Sequence, residues 1–237
     1  MLSEPRSPAA KAQALSRAAL FEGLSPGDLE RLSAFARTQA FKAGEVIFRK
    51  GDLNQALYVI ERGRVKISTG STEGREVVLN LLGAPSVFGE VALLDGGERT
   101  ADATAVEPAT LLALDRRDMI PFLESQPGLM LRMLTAMTAR LRWVSDRYED
   151  AVFLELPARL AKRLLLLGEH FGFDTPKGRR LTVSLPQREI AGHMGVSRES
   201  VNRLLQDWLG REIIEIDRGV LILKDRPALG RIAGLEA

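Results

Sequence analysis

The chain has 237 residues, a net charge of +2, 45% hydrophobic and 27% charged content, and no cysteine. That length suffices for two modest domains, and the lack of cysteine excludes disulfides, thiolate zinc sites, cysteine-ligated iron–sulfur clusters and thiol nucleophiles. The two histidines, His170 and His193, stand far apart, so no metal site is expected. No apolar run reaches membrane-span length or forms a signal core, so a cytoplasmic location without membrane contact is expected.

Met1 to Arg17 is polar and rich in Pro and Ala, and reads as a flexible N-terminal tail. Leu24-Ser25-Pro26-Gly27-Asp28-Leu29 opens a short helix, with Ser25 as N-cap and Pro26 at the first helical position. From Thr38 to Asp115 the pattern changes to short apolar runs divided by glycine. The runs are Glu45–Phe48, Ala56–Ile60, Arg64–Ile67, Glu76–Leu79 and Thr110–Leu114, with turns at Lys50-Gly51-Asp52, Glu61-Arg62-Gly63 and Gly70-Ser71. Regular short strands so punctuated predict an antiparallel jelly roll or barrel, and residues 18–127 form that domain.

After Gln126-Pro127-Gly128 the period becomes helical. Met130, Leu134, Met137, Leu141, Val144, Tyr148 and Ala151 repeat at 4-3-4-3-4-3 spacing, a heptad seam. The helix, residues 128–154, is expected to pair with its copy in a parallel homodimer. The competing possibility is that this stripe packs on its own domain. Glu155-Leu156-Pro157 ends the helix and opens a third region, 155–237. There the Lys/Arg balance turns positive: fourteen against ten Asp/Glu from Pro157 onward, a net of +4, with a net of −2 before it. This asymmetry is compatible with nucleic-acid contact at one end.

Two segments carry chemistry. The first is Phe88-Gly89-Glu90-Val91-Ala92-Leu93-Leu94, followed across Gly96-Gly97 by Arg99-Thr100-Ala101. Gly89 lacks the Cβ that would block close backbone approach, and the amides after it can form an anion nest. Arg99 supplies a planar, permanently charged fork for phosphate oxygens. Glu90 suits a sugar hydroxyl. A ribose fused to a phosphodiester ring meets all of these demands, and the segment resembles the phosphate-binding cassette of cyclic-nucleotide-binding domains.

The second segment lies in the C-terminal region. Ala158 to Phe171 continues as an amphipathic helix and Arg180–Ser184 reads as a strand. Gln187–Met194 is a short helix started by Pro186, and Gly195-Val196 is a tight turn. Ser197 then caps a second helix from Arg198 to Leu209. Val201, Leu204, Leu205 and Trp208 form its buried stripe, while Arg198, Glu199, Asn202 and Arg203 face outward. Ile213–Ile216, a turn at Asp217–Gly219, and Val220–Leu223 read as a β-hairpin. A short support helix, a glycine turn, a helix with polar residues at its N-terminal end and a wing make a winged helix-turn-helix. Its arginines can reach guanine O6 and N7, and its glutamate can accept from cytosine N4.

Phe88-Gly-Glu…Arg99-Thr-Ala101 and Gly195-Val-Ser-Arg-Glu-Ser-Val-Asn-Arg203 together resemble the Crp/Fnr family of bacterial transcription regulators, from about Leu20 to Leu223. The resemblance implies an α+β fold: a cyclic-nucleotide-binding jelly roll, a long dimerisation helix and a winged helix-turn-helix. It implies that Glu90 binds the ribose 2′-hydroxyl and Arg99 the cyclic phosphate, with the Gly89 and Val91 backbone and Thr100 assisting. On the long helix, Val144 and Ser145 occupy positions where the family's cyclic-AMP binders often carry threonine followed by serine or asparagine. Valine cannot hydrogen-bond an adenine amine, so cyclic GMP, reached through Thr100, stands beside cyclic AMP as the expected ligand.

Arg198, Glu199 and Arg203 match the family's base-reading positions, with Gln187, Ser197 and Asn202 as further candidate DNA contacts. A TGTGA-like inverted repeat in double-stranded DNA, a homodimer and RNA polymerase are the implied partners. The alternatives are a family member answering to another effector or to none, and a cyclic-nucleotide-binding regulatory subunit of an effector protein. No nucleophile–base pair, metal cluster or P-loop is present in the sequence, so no catalytic residue is assigned.

Overall fold

The computed structural model describes residues 7–70, 76–182 and 187–235; of Gln187, Arg188, Glu189 and His193 it describes the backbone alone. The chain divides into two compact units. One comprises Met1–Thr69 and Val78–Leu141, the other Gly70–Val77 and Arg142–Ala237.

In the first unit, α1 (Pro8–Ser16) and α2 (Pro26–Phe35) precede the strands, with a single 3₁₀ turn at Ala19–Phe21 between them. Residues 8–16 of the expected tail form a helix: Ser7 caps α1 by accepting from the Ala10 amide, and Ala14 and Leu15 are buried; residues 1–6 lie outside the described residues. Ser25 caps α2 as predicted, accepting from the Asp28 amide at 3.1 Å. The strands follow as β1 (Arg37–Phe41), β2 (Val46–Phe48), β3 (Leu57–Arg62), β4 (Arg64–Gly70), β5 (Glu76–Gly83), β6 (Val87–Phe88), β7 (Asp102–Ala105) and β8 (Ala109–Leu114). They form two four-stranded sheets, ordered β1-β8-β3-β6 and β2-β7-β4-β5, the pairing of an antiparallel jelly roll.

Strands β3 and β8 are buried on both faces, which explains their near-continuous apolar runs. Tyr58, Ile60, Leu111 and Ala113 point into the sandwich beside Phe48, Phe88 and Ala103. Leu57, Val59, Leu112 and Leu114 point the other way, into a second core with Leu15, Phe21, Leu32 and the helix α4 (Arg116–Glu124). Leu129 and Met133, from the first turns of α5 (Pro127–Phe153), complete that core.

In the second unit, α6 (Leu156–Phe171) starts at Glu155, whose side chain makes no capping bond. Leu160, Ala161, Leu164 and Leu167 form its buried face. A four-stranded antiparallel sheet of β9 (Gly172–Thr175), β10 (Gly178–Leu181), β11 (Ile214–Asp217) and β12 (Val220–Leu223) runs in the order β11-β12-β10-β9. The predicted strand at Arg180–Ser184 is β10, shifted toward its N-terminal side; Val183 and Ser184 lie outside the described residues. Helices α7 (Gln187–Met194), α8 (Arg198–Gly210) and α9 (Arg226–Ala233) complete the unit. Among the described residues, no helix is long and apolar enough to cross a membrane.

Candidate functional site

The loop after β6 is held by one arginine. Gly89 adopts left-handed backbone, φ 85°, and caps the short helix α3 (Glu90–Asp95). A Cβ there would lie 2.6 Å from Arg99 Nη1 and 2.9 Å from the Ala56 oxygen. Only glycine lets the chain turn this tightly against the guanidinium. Arg99 Nη1 donates to the Gly89 carbonyl at 2.9 Å, and Nη2 donates to the Ala56 carbonyl at 2.6 Å and to Asn54 Oδ1 at 3.2 Å. Its guanidinium carbon lies 4.0 Å from the Phe48 ring centre, a cation–π contact. Phe48, Tyr58 and Phe88 form the aromatic floor, the last two stacked at 5.2 Å.

Arg99 is only 3% exposed. Burial lowers its pKa, an effect opposed by the Tyr58 hydroxyl and by the Glu90 and Asp52 carboxylates; the group nevertheless stays cationic at neutral pH. Its Nε is buried with no hydrogen-bond partner among the described residues, a donor that an oxyanion in this cavity would satisfy. Glu90, 6% exposed, accepts from Arg140 Nη1 of α5 at 2.6 Å. The cavity is lined by Gly89, Glu90, Val91, Arg99, Thr100 and Arg140 among others. Five of the predicted ligand residues thus converge.

Val144 and Ser145 belong to the second unit and are exposed, Val144 at 49%. Sequence reading missed four contributors: Phe48, Asn54, Tyr58 and Arg140. Asn54 is a relay: its Oδ1 also accepts from the Ala56 amide at 3.0 Å, while its Nδ2 donates to the Tyr58 hydroxyl at 3.0 Å.

The heptad stripe of α5 splits. Met130 packs into its own unit's core and Met137 lines a pocket with Leu20, Val87 and Met133. By contrast Leu131, Leu134, Leu141, Val144, Tyr148 and Val152 are exposed, Leu141 at 67% and Tyr148 at 72%. The apolar stripe left in the open keeps Leu134, Leu141, Val144 and Tyr148 of the predicted seam, whereas Met130 and Met137 are half-buried.

In the second unit the turn between α7 and α8 sits on Gly195, φ 66°. Ser197 caps α8 by accepting from the Ser200 amide at 3.2 Å. Val201, Leu205 and Trp208 are buried, while Arg198, Glu199 and Arg203 are exposed and Asn202 is half-buried. The side chain of Gln187 lies outside the described residues. The Glu199 carboxyl is held below the usual carboxylate range by its own backbone amide and the Ser197 hydroxyl, so it is an acceptor at neutral pH. The β11–β12 turn uses Arg218 and Gly219, both at positive φ, the requirement of a type I′ hairpin. Arg218 is an exposed cation at the wing tip, a candidate contact the sequence reading passed over.

Residues 38–126 match the cyclic nucleotide-binding domain family and residues 158–232 the Crp-like helix-turn-helix domain family. The class so defined is a DNA-binding regulator carrying a cyclic-nucleotide-binding β domain. The CRP-like cAMP-activated global transcriptional regulator of Mycobacterium tuberculosis is 32% identical over 92% of this chain and 98% of its own length. The cyclic AMP receptor protein of Thermus thermophilus is 32% identical over 90% and 96%. A solved structure of the Thermus thermophilus catabolite activator protein shares 32% identity over 92% of this chain and 99% of that one, with a TM-score of 0.53. A CooA mutant from Carboxydothermus hydrogenoformans, 24% identical with a TM-score of 0.73 over 90% and 92%, shares the fold. The chain belongs to the CRP/FNR family of transcription regulators.

Proposed function

We propose that this protein is a cyclic-nucleotide-controlled transcription regulator that works as a homodimer on an inverted-repeat, TGTGA-like operator. The observation that carries the reading is the pairing of Arg99 and Glu90 in one cavity. The guanidinium is locked by two backbone carbonyls, with a buried Nε donor to spare. The Glu90 carboxylate, on α3, lines the same cavity. A fixed cation beside a fixed hydroxyl acceptor selects a ribose cyclic phosphate over inorganic phosphate, because phosphate alone gives Glu90 no neutral partner. Two relatives bear names that specify cyclic AMP, and cyclic AMP is the ligand proposed, with cyclic GMP as the comparator that Thr100 and Val144 leave open.

Ligand entry is proposed to weaken the Glu90–Arg140 ion pair, because a ribose hydroxyl donating to Glu90 competes with Arg140 for its carboxylate. Arg140 adjoins Leu141 in the exposed apolar stripe, so that exchange acts on the helix face proposed to meet the second protomer. Two-fold pairing along this stripe suits half-sites about 34 Å apart, each read by Arg198, Glu199 and Arg203. RNA polymerase is the proposed downstream partner.

Calorimetric titration of both cyclic nucleotides, run beside operator-fragment retention, tests the proposal. Cyclic AMP should bind with micromolar or tighter affinity and increase retention of an inverted-repeat duplex. Identical retention with and without either nucleotide refutes it.

A further inference from the structure

Arg99 is held in part by a side chain outside the cavity it serves. Asn54, in the loop between β2 and β3, does not line that cavity, yet three hydrogen bonds meet on its amide. Its Oδ1 accepts from Arg99 Nη2 at 3.2 Å and from the Ala56 amide at 3.0 Å, and its Nδ2 donates to the Tyr58 hydroxyl at 3.0 Å. Arginine and a backbone amide can only donate, so the oxygen has to be the atom that faces them, and the orientation of the Asn54 amide is fixed. The Tyr58 ring is buried and stacked on Phe88, so the third bond ties Asn54 to the aromatic floor of the cradle.

The acceptors that hold the guanidinium share one property. The Gly89 and Ala56 carbonyls and the Asn54 amide oxygen are all formally neutral. Burial lowers the Arg99 pKa and the Glu90 and Asp52 charges oppose this, but both carboxylates are engaged elsewhere. Glu90 accepts from Arg140 at 2.6 Å, and Asp52 accepts from the Arg49 amide at 2.8 Å. A carboxylate in direct contact would hold the guanidinium more strongly, and would cancel the charge that draws an anion. Neutral acceptors fix the position and leave the charge.

We infer that Asn54 is a positioning residue for ligand binding, a neutral clamp that aims Arg99 at an anionic ligand without neutralising it. The inference rests on the reading that the Arg99 cavity holds a cyclic phosphate.

Asn54→Asp isolates the charge. The carboxylate matches the amide in shape, one oxygen can keep the Arg99 and Ala56 bonds, and the Tyr58 hydroxyl, donor as well as acceptor, can keep the third by reversing its direction. Asn54→Ala instead deletes all three bonds and adds no charge. The parent and both variants are unfolded in urea and titrated calorimetrically with cyclic AMP and cyclic GMP. A neutral clamp gives opposite orders in the two measurements. The aspartate variant should be the more stable of the two, yet bind the parent's preferred nucleotide more weakly than the alanine variant does. Its loss against the parent should be about tenfold, the low end for one charge-assisted contact, because Asn54 is exposed and water screens the added charge. A merely structural role puts aspartate ahead of alanine in both measurements, and that result overturns the inference. An Asn54→Asp affinity equal to the parent's overturns it too, as does an aspartate variant less stable than the alanine one. A parent that binds neither nucleotide refutes the cyclic-phosphate reading itself, and the inference falls with it.

Discussion

Replacing Gly89 by alanine tests whether the cradle rests on the fit between a glycine and a guanidinium. Two costs add. A left-handed backbone carrying a Cβ costs about 1–2 kcal/mol, and Gly89 sits at φ 85°. The new Cβ would also stand 2.6 Å from Arg99 Nη1 and 2.9 Å from the Ala56 oxygen, so the guanidinium must retreat. That forfeits the charged bond to the Gly89 carbonyl, about 1.5–3 kcal/mol, for a total of roughly 2.5–5 kcal/mol. Gly44 supplies the control: its φ is also positive, 81°, with nothing within 4 Å of a built Cβ. Gly44→Ala should cost only the backbone share, about 1–2 kcal/mol. Urea unfolding of both variants isolates the difference, and calorimetry reads its consequence. Cyclic-nucleotide affinity should fall roughly 10–150-fold in Gly89→Ala and stay unchanged in Gly44→Ala. Equal destabilisation with intact nucleotide binding would show that Arg99 is not positioned by this contact.

The other predictions concern separate surfaces. Leu141→Glu removes an exposed leucine from the proposed seam in both protomers. Losing about 3–6 kcal/mol per dimer should raise the dimer dissociation constant roughly 10²–10⁴-fold, read by sedimentation, and an unshifted constant places the interface elsewhere. Glu199→Ala should relax preference at one operator position by about 1–3 kcal/mol, measured with duplexes substituted base by base; unchanged discrimination argues against major-groove reading. Val144→Thr should favour cyclic AMP over cyclic GMP in competition titrations, and a constant ratio means the base lies away from that face of α5. Asp217 is held below its ordinary pKa by Arg180, 2.7 Å away. Its contribution to the wing is therefore present at neutral pH and lost as pH falls through the lowered value. Asp217→Asn should abolish this acid dependence in amide-exchange measurements on β11 and β12.

How much of this was legible beforehand depended on whether the signal was local. Ser25-Pro26 and Ser197 announced α2 and α8 because a cap and its helix are neighbours in sequence. Runs of branched and aromatic residues marked β2, β3, β4, β5 and β8. Strand β7 escaped because its buried positions are Ala103 and Ala105, residues of weak strand preference, and because Arg99-Thr-Ala101 drew attention to ligand chemistry. Helix α1 escaped because its buried face is small, with Ala14 and Leu15 seated in the core, and an Ala-rich start looks like a tail. In the cradle, Gly89, Glu90 and Arg99 share one motif and were found together. Asn54, which holds both Arg99 and Tyr58, is far off in sequence, and no local pattern distinguishes it from any loop asparagine. Arg140 was visible only as a charge off the seam. Its role follows from the packing that brings α5 within 2.6 Å of Glu90.

That ion pair also limits how the proposed switch can work. A ligand shifts an equilibrium only by its difference in affinity for the two states, and in the proposed switch that difference arises at Glu90. A ribose hydroxyl donating to Glu90 competes with Arg140 for the carboxylate, and Arg140 shares α5 with the exposed Leu134 and Leu141. Arg140→Gln removes the competitor without deleting Glu90. If ejecting Arg140 is the linkage step, the variant should bind cyclic AMP at least as tightly as the parent, while the gain in operator retention on adding nucleotide shrinks. Weaker binding together with an unchanged gain would mean that Arg140 only supports the pocket and that coupling runs through other contacts.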